Sequence, residues 1–347
     1  MDGTPSMNEW FEKGMKFFEA NNFEEALKAY EEVLKLSPGV AEAWTNKGNV
    51  LGAMGKFDEA IQAYDEATRI RPELLEARMN KGIMLSEIGR YEDAIMTYDE
   101  ALSLNPKDAD IWYNKGVALH KSGKLEDAVK AYDEAAKLNP NSAQIWNHKG
   151  VALHSLGKSD EALKAYDEAV RINCNYTKAW NNKGNVLSET GKYHYAVKAY
   201  SEAARLDPKY VEAWFNLGNA LIDIAHYEEA IRAFDTVLGI NPGEASAWYY
   251  KGIALQQSGR QMDAFRAFVK ATDLDPNFAE AWFSKGDIFA KSGKYEDAVM
   301  AYQQAVKAKP DYAKAWYNLS LVYHNLKKHD EESRARQQAV KLDPKYS

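Results

Sequence analysis

The chain is poor in the features that announce a chemistry. It has one cysteine, Cys174, so no disulfide framework forms and a reducing compartment is the natural setting. No zinc-type Cys/His spacing exists, and no phosphate-loop, dinucleotide, nucleophile-elbow or zincin motif occurs, so neither a cofactor nor an enzymatic activity is expected. A basic surplus is missing too. The 44 Lys and Arg stand against 51 Asp and Glu, a formal net charge of −7, which argues against nucleic acid and anionic membranes as partners. No apolar run approaches the roughly 18 residues that span a bilayer, and the start MDGTPSMNEW lacks the basic and apolar parts of a secretion signal. These absences lead us to expect a cytoplasmic protein without membrane insertion, its residues 1–6 a disordered tail or a cloning remnant. Linkers are also lacking. A chain of 347 residues ordinarily makes two or three globular domains, yet no Pro/Gly/Ser-rich stretch or shift of composition divides this one.

What is present is an internal repeat. Tryptophan occurs at 10, 44, 112, 146, 180, 214, 248, 282 and 316, always 34 residues apart except for one double interval in which Arg78 takes the missing place. With this residue numbered position 4, ten units begin at 7, 41, 75, 109, 143, 177, 211, 245, 279 and 313, without insertion or deletion. Position 8 is glycine, position 20 alanine and position 24 Tyr or Phe in nine units each, and repeat 10 breaks all three patterns with Ser320, Glu332 and Arg336. Position 32 is proline in nine units and Cys174 in the other.

Each unit reads as two helices. In repeat 4, Trp112, Gly116 and Leu119 fall on one stripe at helical period, and Gly116 admits a close neighbour. A turn follows at Ser122–Lys124. The segment LEDAVKAYDEAAKL then puts Ala128, Tyr132 and Ala135 on one face, starts with acids that suit a helix N-terminus, and stops at Asn139-Pro140. One pair cannot bury its apolar face alone, so neighbours must stack into an all-α solenoid with a continuous core.

The pattern W-x2-[LK]-G-x2-[LFY]…A-x3-[YF]…P resembles the tetratricopeptide repeat (TPR) family over the whole array, residues 7–346. The resemblance implies a right-handed superhelix whose concave groove is lined by the first helices, similar to the TPR region of O-linked N-acetylglucosamine transferases. One departure is lysine at position 7, where the family favours leucine: Lys13, Lys47, Lys81, Lys115, Lys149, Lys183, Lys251 and Lys285. A stem that packs while its ammonium reaches for water explains these lysines, in preference to pairing with the acid at position 26, as Lys47 with Glu66.

On the first helix, positions 2, 5, 6, 9, 12 and 13 cluster opposite the core stripe, and the resemblance makes them the ligand face. Position 6 carries Asn46, Asn80, Asn114, Asn182, Asn216 and Asn318, with His148 in repeat 5. Carboxamides at repeat spacing either grip the backbone of an extended peptide, as in the transferase ladder, or bond structurally to the adjacent repeat. Position 5 carries Tyr113, Asn147, Asn181, Phe215, Tyr249, Phe283 and Tyr317, the aromatic ones read as exposed anchors, while Asn49, Asn185 and Asn219 stand at position 9. Eleven acids on the stripe against four lysines favour neutral or basic ligands.

The family's carboxylate clamp for acidic C-terminal peptides is not expected, because no unit has Lys at position 5 or Arg at position 6. His120, His148 and His154 share the stripe without an i, i+4 pair, so a metal site is not expected either. Repeat 10 reads as a polar cap, and Trp10, Phe11, Phe17, Phe18 and Phe23 suggest self-association through the N-terminal end. The expected function is a non-enzymatic protein-interaction scaffold that holds an extended or helical segment of a partner protein. The alternatives are a self-assembling structural solenoid and the recognition arm of a larger enzyme.

Overall fold

A computed structural model of the chain describes residues 5–347, and among these are twenty α-helices and a terminal 3₁₀ turn, Pro344–Tyr346. Of the expected tail, residues 1–4 lie outside the described residues. Ser6 does not behave as tail: its hydroxyl accepts from the Glu9 N–H and its own N–H donates to the Glu9 carboxylate, a capping box that starts the first helix.

Every repeat supplies a first helix over positions 1–13 and a second over positions 17–30, from Met7–Glu19 and Phe23–Leu36 to Ala313–Asn325 and His329–Leu342. The turn between them needs a left-handed residue at position 15. Glycine provides it in seven repeats, with φ between +72° and +86°. Asn21, Ala225 and Lys327 adopt the same conformation with a β-carbon.

The second junction is a latch. The carbonyl of the position 32 proline accepts from the indole Nε1 of the next repeat's tryptophan, as in Trp112 to Pro106 at 3.0 Å and Trp282 to Pro276 at 2.9 Å. Inside, the position 24 ring packs directly against the position 8 glycine, and a β-carbon added at Gly116 would stand 2.6 Å from Tyr132. Alanines at position 20 are fully buried from Ala26 to Ala298, which lets the two helices approach closely.

The chain divides into two compact units, one ending at Cys174 and one starting at Asn175. Composition does not mark this boundary, although it falls at the one repeat without proline at position 32. Within the first unit the first helices of repeats 2, 3, 4 and 5 lie side by side, and within the second those of repeats 6, 7 and 8 do, so each unit presents a shared first-helix face. In repeat 1, Phe11 packs edge-on to the buried Tyr30 at 5.7 Å, and Phe17, Phe18 and Phe23 join the same cluster half-buried.

The position 7 lysines do more than reach for water. Except for Lys81, whose repeat carries Arg78 in place of the tryptophan, each ammonium lies over the tryptophan of its own repeat, 4.4 to 5.5 Å from the ring centroid. Several also pair with the acid at position 25 of the preceding repeat, among them Lys47 with Glu31, Lys81 with Asp65, Lys115 with Asp99, Lys149 with Asp133 and Lys251 with Asp235. The position 26 acids bind three residues onward instead, as Glu66 with Arg69 and Glu134 with Lys137, except Glu100, which meets Arg78 at 3.6 Å. Reading each repeat in isolation hides this, because the partner belongs to the repeat before.

Candidate functional site

The candidate residues lie on the first-helix faces, but position 5 turns inward. Asn147, Asn181 and Phe283 are buried, and Tyr113, Phe215, Tyr249 and Tyr317 are half-buried. Phe215 meets Phe234 at 5.7 Å, Tyr249 meets Phe268 at 5.8 Å and Phe283 meets Tyr302 at 5.6 Å, each at position 24 of its own repeat. The last residue of the repeat closes over the other side, Phe278 on Tyr249, Tyr312 on Phe283 and Tyr346 on Tyr317. The expected row of exposed aromatic anchors is thus corrected. Ring-on-ring packing keeps most of that apolar surface in the fold.

Position 6 is more telling. The Asn80 Nδ2 donates to Asn49 Oδ1 of the preceding repeat at 2.9 Å, and the Tyr64 hydroxyl donates to the same oxygen at 2.8 Å. The arrangement recurs with Asn216, Asn185 and Tyr200, and with Asn318, Asp287 and Tyr302. Positions 6, 9 and 24 thus form a triad across each of these junctions, and one acceptor oxygen satisfies two donors. Repeat 7 breaks it: Phe234 has no hydroxyl, Tyr250 replaces the next asparagine, and the Asn219 Oδ1 is left buried without a partner.

Beside Asn46 and Asn114 the preceding position 9 is Met15 or Ile83, which offers no acceptor. Those two carboxamides take no part in such a triad. Asn182, at the same repeat position in the second unit, is half-buried. His148 turns its Nδ1 to the Gln144 carbonyl at 2.9 Å and stands edge-on to Tyr113, whose hydroxyl accepts from Gln144 Nε2 at 2.7 Å. Burial holds the His120 imidazole below its usual pKa. Among the described residues no group of three or more His, Cys, Asp and Glu is arranged to hold a metal ion, and no helix is long and apolar enough to cross a membrane.

The acidic excess of the face is partly used by the fold. Glu42 pairs with Arg71, and its own backbone N–H together with that guanidinium holds its carboxyl below the usual range. Glu280 pairs with Lys309 at 3.1 Å, while Glu212 accepts from Asn181 and Tyr210. Asp223 is exposed at the end of its helix, and the partial burial of its carboxyl raises its pKa.

Family profiles described as Tetratricopeptide repeat match residues 11–74, 45–109, 79–141, 121–174, 217–276, 251–299 and 313–346, and one described as TPR repeat matches 184–223 and 286–327. No curated protein sequence matches the chain. Among solved structures it is similar to YrrB, described as a TPR protein with an unusual peptide-binding site, at 25% identity and a TM-score of 0.50 over 54% of this chain and 97% of that one. It is also similar to the C-terminal part of a TPR repeat-containing protein from Cytophaga hutchinsonii, at 18% identity and a TM-score of 0.56 over 67% of this chain and 95% of that one, a likeness of fold. With the repeat profile matched over most of its length and helix pairs at every 34-residue step, the chain belongs to the tetratricopeptide repeat family.

Proposed function

We propose that the protein is a non-catalytic scaffold whose first-helix face holds an extended segment of a partner polypeptide by its main chain. The observation that carries this reading is the state of the position 6 row. Asn80, Asn216 and Asn318 are oriented by bonds from Nδ2, one for Asn80 and two each for Asn216 and Asn318, while their carbonyl oxygens accept no bond among the described residues, and Asn46 and Asn114 stand at the same repeat position with no triad of their own. A peptide backbone offers one donor and one acceptor per residue, which an oriented carboxamide matches regardless of side chain. The preferred segment is neutral or basic, because Glu76, Asp110 and Asp223 on this face have no cationic partner among the described residues. The similarity to YrrB supports peptide capture as the use of such a face.

The test is a displayed library of extended peptides selected on the full chain, with affinities then measured for Asn46→Ala/Asn114→Ala. Loss of two backbone contacts should weaken binding about tenfold or more. Unchanged affinity for every selected peptide would remove the carboxamide row from the function. These two sites are chosen because neither supports the fold through a triad.

A further inference from the structure

Repeat 9 departs from its siblings in one place. Beside the position 4 tryptophan and the position 7 lysine, repeats 2, 8 and 9 each have a notch between their two helices. In repeat 2 the notch is acidic: Glu59, Asp65 and Glu66 line it, and Glu31 of the repeat before reaches Lys47 at 3.1 Å. In repeat 9 most of that charge has gone. Gln303 and Gln304 occupy positions 25 and 26, Val269 stands where the preceding repeat would supply an acid, and Asp297 is the one carboxylate lining the notch. The Lys285 ammonium rests 4.4 Å from the Trp282 centroid with no ion-pair partner among the described residues, unlike Lys47, Lys81, Lys115, Lys149 and Lys251. Burial lowers its pKa, opposed by the charges of Asp273 and Asp297.

Apolar surface replaces the missing charge. Met262 stands at position 18, where eight other repeats have an acid, and Met300 at position 22, where seven others have Lys or Arg; they are 67% and 59% exposed. Phe289 meets Phe265 edge-to-face at 5.0 Å and lines both the notch, of about 380 Å³, and a smaller cleft of about 160 Å³ beside Met262. A neutralised notch, an unpaired half-buried ammonium and two exposed methionines converge on one surface. Flexible thioethers around an aromatic floor suit an apolar side chain, and a desolvated ammonium suits a carboxylate.

We propose that the repeat 9 notch docks a partner polypeptide presenting a large apolar side chain beside an Asp or Glu, the carboxylate seating on Lys285 and the apolar group against Phe289 and Met300. The incoming acid takes the place that position 25 fills elsewhere. The site shares no residue with the carboxamide row and stands or falls independently of it.

The probe is the peptide acetyl-Ala-Leu-Phe-Asp-Ala-Ala-amide, compared with its Asp-to-Asn counterpart and read by methionine-methyl NMR of the full chain. Met96 is the internal control, since it occupies position 22 of repeat 3 and is 58% exposed. The Asp peptide should shift Met300 and Met262 but not Met96, and bind about tenfold more tightly than the Asn peptide, the size of one charge-assisted hydrogen bond. Val269→Asp restores the pair found in repeats 3, 4, 5 and 8 and should erase that preference without harm to the fold. Lys285→Met should erase it as well. Equal affinity for the two peptides, an unaltered preference in Val269→Asp, a Met96 shift as large as that of Met300, or no shift at all would overturn the proposal.

Discussion

The Lys115 ammonium lies 5.1 Å from the centroid of Trp112 in its own repeat and pairs with Asp99 in the repeat before. One cation therefore ties a ring, a helix pair and a neighbour together. Its Asp partner is more than half exposed, so solvent screens the pair.

A double-mutant cycle of Lys115→Met and Asp99→Asn should give a coupling of about 0.5 kcal/mol, smaller in high salt. Urea midpoints of the four proteins measure it. Zero coupling at low salt would reduce the lysine to packing against Trp112.

Gly116→Ala adds a methyl group 2.6 Å from the Tyr132 ring, in a core with no slack. The variant should lose about 1–3 kcal/mol although alanine is the better helix former. Gly39→Ala, whose β-carbon meets nothing within 4 Å, should be neutral in the same assay. Equal stabilities for the two would deny the close approach of position 8 to position 24.

Asn49→Leu removes the oxygen that satisfies Tyr64 and Asn80 and should cost about 1–3 kcal/mol. Asn49→Asp should be tolerated, because Asp287 fills the same place between Tyr302 and Asn318. The comparison by thermal midpoint separates an acceptor requirement from a volume requirement.

Because burial lowers the folded-state pKa of His120, the unfolded chain takes up its proton first as pH falls below about 6.5. Stability contributed by this site should be full above that pH and decline between there and the lower folded-state value. His120→Gln should flatten the slope of thermal midpoint against pH from 7.5 to 5. An identical slope in the variant would assign the acid sensitivity elsewhere.

The helix pairs were legible to the residue, because a 34-residue period without insertion fixes where each Trp, Gly, Ala and Tyr must fall. The face opposite the core was legible only in outline. A helical wheel puts position 5 on the outer arc, yet Asn181 and Phe283 are buried because the next repeat and the repeat's own last residue cover them, and a wheel contains neither. The lysine pairs and the carboxamide triads escaped for a related reason. Their signal is co-occurrence between adjacent repeats, Asn at 9 followed by Asn at 6 or an acid at 25 followed by Lys at 7, and it appears only when repeat junctions rather than repeats are aligned.

The proline-to-tryptophan latch ends on a backbone carbonyl, so it works for whichever side chains flank it, but only at a fixed spacing of six residues. A single inserted residue in that connection would swing the indole about 100° around the helix and off its acceptor. The connections are therefore rulers. Selection can rewrite the exposed positions of any repeat freely, while the length of the thread between repeats is held constant by one indole N–H wherever a tryptophan follows the proline.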